Sequence, residues 1–210
     1  YIEDGYAAQL EYPIKEDSLD KAAEKFKAAS KYFGANANFY FSIVPDKGYF
    51  LAEQNGYLSM DYDQFFSLMA DKMDFAEYID ITGELTLEDY YKTDTHWRQE
   101  KLLGVAKRIA GSMGVTLVGE YTEKTLDVPF YGVYYGQAAV SLEPDTMHIL
   151  KSDVLDGCVT SVGTLDMQTG EAVYEKLYDG VYDWEKFAGR DMYEGFLSGT
   201  QGILRIDNPA

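Results

Sequence analysis

The run Asn38-Phe39-Tyr40-Phe41-Ser42-Ile43-Val44, stopped by Pro45-Asp46-Lys47-Gly48, decides how the chain is read. It is almost continuously apolar, without the in-out alternation of a strand that has one wet face. Such a strand is covered on both sides, which points to a parallel sheet between helices. The flanking sequence supports this. Upstream, Ser18 follows Asp17 and opens a run with Ala22, Phe26, Ala29 and Phe33 at helical spacing, closed by Gly34. Downstream, Tyr62, Phe65, Phe66, Met69 and Met73 mark one stripe of a helix over Asp61 to Asp74, and Tyr78-Ile79-Asp80-Ile81 reads as a second strand. Strand, helix and strand in that order predict a right-handed crossover in a doubly wound sheet. A third helix is predicted from Thr95 to Ser112, with Leu102, Ala106, Ile109 and Met113 inward and Gly114 past its end. Val115 to Val118 then reads as a third parallel strand.

From Val128 the grammar changes. Phe130 to Tyr135, Thr146 to Leu150 and Cys158 to Leu165 read as short strands, and Gln168-Thr169-Gly170 reads as a hairpin turn before Ala172 to Tyr178. The expected organisation is a single domain over 1–210: an α/β part over 1–127, a β-rich insertion over 128–182 and a return segment over 183–210. No linker or repeat divides the chain.

Composition narrows the function. Eighteen basic against 36 acidic residues give a net charge of −18, a field that repels phosphate backbones and anionic lipid surfaces. No stretch approaches the roughly 20 apolar residues of a membrane span. Neither nucleic acid nor membrane is therefore an expected partner. The single Cys158 cannot close a disulfide within the chain, and no cysteine spacing marks a zinc site. No metal and no cofactor is expected.

Chemistry concentrates at one of the two histidines. His148 lies inside a predicted strand and reads as half-buried. His96 lies in Tyr90-Tyr91-Lys92-Thr93-Asp94-Thr95-His96-Trp97, at the start of the third predicted helix. There Asp94 can cap the helix and also hold one ring nitrogen of His96, leaving the other as a base. The positive end of the helix favours the neutral ring. Trp97 would wall one side, with Thr93 in support. The same residues also fit an aspartate cap beside an incidental histidine, or half of a metal pair.

This block resembles the signature of the DHHW family, a group of exported bacterial proteins, and its Asp-Thr-His-Trp string is similar to that of the SGNH-hydrolase-like domains of alginate O-acetyltransferases. Ile43 to Lys47, Tyr78 to Ile81, Phe130 to Gly136 and Tyr193 to Gly199 fall where the DHHW family has comparable blocks. Thr95 stands where that family has histidine. The resemblance implies a three-layer, mostly parallel SGNH-hydrolase-like fold with a β-rich insertion, and a Ser-His-Asp triad in which Asp94 and His96 are acid and base. It implies O-acyl transfer or ester hydrolysis on an extracellular glycan, outside the cytoplasm. The alternative is a nucleophile-less module that binds envelope polysaccharide or an envelope protein.

The resemblance places the serine after His96, at the end of a later strand. None of the ten serines sits in such a strand and turn, and no Gly-x-Ser-x-Gly elbow exists. The chain is expected to stop short of the nucleophile and its last strand, or to have lost them; as given, it is expected to be inactive. It opens on Tyr1, so a leader or anchor is expected to have been removed, or the start to lie inside a longer chain. Lys47 could present a cation to a sugar or acyl group, or sit in a solvated turn. Tyr134 and Tyr135, with Tyr131, could stack on sugar rings or fill a half-buried strand face.

Overall fold

A computed structural model describes residues 1–34, 36–139 and 141–209; Ala210, the end of the expected return segment, lies outside the described residues. Of the run 38–44, only Tyr40–Phe41 forms a strand. The elements are β1 (Ile2–Glu3), β2 (Tyr6–Ala7), α1 (Glu16–Ser30), β3 (Tyr40–Phe41), α2 (Lys47–Leu51), α3 (Tyr62–Lys72), β4 (Glu77–Tyr78), α4 (Leu103–Ser112), β5 (Thr122–Phe130), α5 (Val133–Ala138), β6 (Asp145–Lys151), α6 (Asp153–Asp156), β7 (Val159–Leu165), β8 (Ala172–Asp179), α7 (Trp184–Phe187) and β9 (Leu204–Asp207). They make four small sheets: β1-β2, β3-β4, β5-β6 and β8-β7-β9. The expected doubly wound, mostly parallel SGNH-like sheet is not what the chain forms.

The physical reason lies in how the run 38–44 ends. β3 and β4 pair in parallel for two residues, Tyr40 with Glu77 and Phe41 with Tyr78. Beyond them the Ser42 hydroxyl donates to the Ile79 carbonyl at 2.9 Å, Pro45 has no N–H to offer a ladder, and Asp46 caps α2. Val115 to Val118 form no strand, and Val115 and Val118 are 54% and 70% exposed. The expected burial of the run on both faces is met only in part: its middle residues are half-buried, and Val44 is 47% exposed. Tyr40 packs on the cluster of Ile79, Ile81, Leu85 and Val105, while Phe41 and Ile43 pack on Ala23, Met69 and Met73, as successive strand side chains must.

By its contacts the chain divides into two compact units. The first comprises Tyr1–Leu117 with Tyr131–Asp145, and the second comprises Val118–Phe130 with the chain from Thr146 onward. In the first, α3 forms as expected, with Asp61 Oδ1 accepting from the Gln64 N–H at 2.9 Å. α1 differs from expectation. It begins at Glu16, so Ser18 is inside the first turn rather than its cap. Its buried side is Ala23 with Leu19, and Phe26 and Phe33 face water at 56% and 63% exposure. In the second unit, β7 pairs antiparallel with β8 and β9. The turn at 166–171 is the expected hairpin, with Gly170 at φ +74° and Asp166 Oδ1 accepting from the Gln168 N–H at 2.8 Å. His148 is half-buried in β6, 2.6 Å from Glu123.

Candidate active site

Residues 90–97 form a tight hairpin, not a helix start. Tyr90 and Trp97 make an antiparallel bridge, the Tyr91 N–H donates to the His96 carbonyl at 3.2 Å, and the Arg98 N–H donates to the Asp89 carbonyl at 2.6 Å. The following helix, α4, starts only at Leu103. Asp94 therefore does not cap the helix that follows it in sequence; the expectation of a helix start at His96 is not met. The hairpin is rooted by its two aromatics. Tyr90 is buried and its hydroxyl donates to the Pro45 carbonyl at 2.5 Å. Trp97 packs against the Ile79 cluster, so it belongs to the core.

At the tip, Asp94 Oδ1 and His96 Nδ1 lie 2.5 Å apart, and the same oxygen accepts from the His96 N–H at 2.9 Å. Asp94 Oδ2 accepts from the Val133 N–H at 2.7 Å. Asp94 is 4% exposed, while the His96 side chain is 46% exposed. Burial works against the Asp94 charge, but the hydrogen bonds from the His96 ring and from the His96 and Val133 amides outweigh it and hold the carboxyl below its usual value. The carboxylate is thus fixed in its charged form and aimed at one ring nitrogen, while part of the ring meets solvent. That is the geometry of an oriented general base.

Three supports hold the tip. The first is Lys47, only 3% exposed, whose ammonium donates to the carbonyls of Tyr91 at 2.8 Å, Lys92 at 3.2 Å and Asp94 at 2.7 Å. All three of its N–H groups are thereby spent. It is neither in a solvated turn nor able to offer a donor to a substrate, which corrects both readings of Lys47. Burial pulls its pKa down to about 8, against the pull of Asp145, Asp94 and Asp46. Asp46 sets the Lys47 end of α2, its Oδ1 accepting from the Gly48 N–H at 2.6 Å and the Tyr62 hydroxyl at 2.6 Å.

The second support is Asp145, which no local sequence signal marks. Its Oδ1 accepts from the Lys92 N–H at 2.8 Å, and its Oδ2 accepts from the Thr93 N–H at 2.8 Å and the Thr93 hydroxyl at 2.6 Å. Thr93 is wholly buried. Asp145→Ala should cost about 2 kcal/mol in urea unfolding, since it takes the acceptor from the Thr93 hydroxyl hydrogen and from two amides; a loss below about 0.5 kcal/mol would contradict this support.

The third support is the segment after Phe130. It is not the expected strand through Tyr135: β5 ends at Phe130 and α5 begins at Val133. The Gly132 N–H donates to the Thr93 hydroxyl at 2.9 Å and the Tyr134 N–H to the Thr93 carbonyl at 3.0 Å. The Tyr134 ring centroid lies 5.0 Å from the Lys47 ammonium, a cation–π contact that helps the buried charge. Tyr135 instead packs on Tyr131, ring centroids 4.7 Å apart. Sequence reasoning missed Gly132 and the Val133 amide because a strand reading gives neither a special role.

Of the serines with defined partners, Ser30, Ser42 and Ser59 donate to the carbonyls of Lys27, Ile79 and Met60, Ser152 caps α6, and Ser198 bonds Asp183.

No protein-family model matches the sequence, and no curated protein matches it. Among solved structures, the chain is similar to the crystal structure of a DHHW family protein from Eubacterium siraeum DSM 15702. The TM-score is 0.72 and the identity 21%, over 99% of this chain and 69% of that one. At that identity the likeness defines the fold. The family to which that protein belongs is also the one that the Tyr90–Trp97 block resembles.

Proposed function

We propose that Asp94 and His96 form the acid–base half of an acyl-transfer or ester-hydrolysing site, acting outside the cytoplasm on an O-acylated glycan. The observation that carries this reading is the 2.5 Å contact between a buried, charged carboxylate and Nδ1 of a partly exposed imidazole. A carboxylate on Nδ1–H fixes the tautomer in which Nε2 accepts a proton. Nε2 takes that proton from a serine hydroxyl or water as it attacks the ester carbonyl, then returns it to the leaving alkoxide. Asp94 stabilises the imidazolium formed between the two steps. The hydroxyl nucleophile is not assigned to a residue of this chain. The resemblance of residues 90–97 supports the reaction class and the glycan.

The test is turnover of acetylated xylan by the complete native protein. His96→Ala should lower kcat/KM by about 10³-fold, the scale of a lost general base, and should abolish labelling by a serine-directed fluorophosphonate. Turnover that survives His96→Ala would overturn the reading.

A further inference from the structure

The second unit contains a hollow of 430 Å³ whose lining includes Tyr178, Tyr182, Asp183, Trp184, Ser198 and Gln201. We infer that it is a binding site for a neutral saccharide, independent of the His96 reading.

Two features carry this inference. The first is Trp184. Its indole is held by the Lys124 ammonium, 5.4 Å from the ring centroid, by Tyr182 at 6.2 Å and by Phe187 at 5.6 Å, yet the residue stays 49% exposed. An aromatic locked by three neighbours and still wet is a preformed platform, and binding to it immobilises little. The second feature is the turn at 197–199, whose Ser198 lines the same hollow. Leu197, Ser198 and Gly199 all have left-handed φ, at +59°, +61° and +67°, a strained arrangement for the first two. That turn buries Ser198, with its hydroxyl 2.7 Å from Asp183 Oδ2 and 3.1 Å from the Tyr178 hydroxyl. Gln201 Nε2 donates to the Ser198 carbonyl at 3.0 Å. A linked set of carboxylate, hydroxyls and amide thus lines the hollow that the indole also lines.

A pyranose ring matches that pairing, since it has an apolar C–H face and a rim of hydroxyls that both donate and accept. Anionic ligands match it less well, because Asp183 and Glu185 lie in the lining, the Lys186 ammonium there is already paired with Glu194 at 2.8 Å, and the chain carries −18 overall.

The experiment titrates the protein with cellohexaose, mannohexaose and chitohexaose, read by calorimetry. At least one should bind, and Trp184→Ala should weaken that binding tenfold or more. Ser198→Gly, which relieves the φ strain while deleting the hydroxyl, should weaken it several-fold with no loss of melting temperature. Should Trp184→Ala fail to fold, Ser198→Gly and Gln201→Ala carry the test. Failure of all three sugars to bind at about 10 mM, above the roughly millimolar range of weak specific sites, overturns the inference. So does binding that is undiminished in the folded variants. Ester turnover by His96→Ala is measured separately, so sugar binding with turnover intact would sink only the reading of His96.

Discussion

Gly132→Ala should unseat Asp94. A Cβ on residue 132 would stand 2.3 Å from Asp94 Cβ, 2.5 Å from Asp94 Cα and 2.5 Å from the Thr93 carbonyl oxygen. Two of those atoms are backbone and cannot rotate away, so the hairpin tip and the 131–134 segment must separate. The bonds from Gly132 N–H to Thr93 Oγ1 and from Val133 N–H to Asp94 Oδ2 would then open. The dihedral at residue 132 is ordinary, φ −74°, so alanine costs nothing through its own backbone preference and the whole effect comes from this close approach. Overpacking and two lost hydrogen bonds together amount to about 3 kcal/mol. Urea unfolding should show that loss, and ester turnover should fall toward the His96→Ala level. A variant as stable and as active as the parent would mean that the close approach is not what seats Asp94.

Lys47→Met is the second large effect. It leaves the carbonyls of Tyr91, Lys92 and Asp94 without the ammonium that now binds them, at a cost of about 3 kcal/mol at neutral pH. The pH dependence carries a separate sign. The Lys47 pKa is about 8 in the folded protein against an ordinary 10.5. Between those two values the unfolded chain binds a proton that the folded chain does not, so this group favours folding increasingly as pH rises through that window. The stability of the parent minus that of Lys47→Met should therefore climb between pH 8 and 10.5, by at most about 3 kcal/mol. Below pH 8 it should be flat. A difference that falls across that window would contradict the burial of a protonated Lys47.

The parts of this molecule that were legible in its sequence are those set by local chemistry. The α3 stripe, the Gln168-Thr169-Gly170 hairpin and the opposite packing of Tyr40 and Phe41 each depend on a few adjacent residues. The sheet was not legible, because an apolar run reports burial and not pairing length. Ser42 and Pro45 end the β3-β4 ladder after two residues, and nothing in the run itself says so. The Phe26 and Phe33 stripe misled for a related reason: Leu19 and Ala23 fit the same helix period, and packing against Met69 and Met73 chose between them.

At the candidate site, Asp94 and His96 were legible because a carboxylate and an imidazole two residues apart can meet without tertiary help. Their supports were not. Asp145 lies 52 residues from Thr93 and Gly132 lies 39 residues from it. Lys47 reads either as facing substrate or as sitting in a solvated turn, since nothing local shows that three carbonyls converge on it. The block 90–97 reads as a helix start because Asp-Thr-His can serve in either a helix start or a turn; the Tyr90–Trp97 bridge makes it a hairpin.

The most direct test of this account is the ring-nitrogen spectrum of His96, read by long-range ¹H–¹⁵N NMR correlation and separated from His148 by substituting the latter. The account predicts a protonated Nδ1 whose proton is shifted far downfield by the Asp94 carboxylate, lost in Asp94→Asn. A ring protonated on Nε2 alone, or a spectrum unmoved by Asp94→Asn, would contradict it.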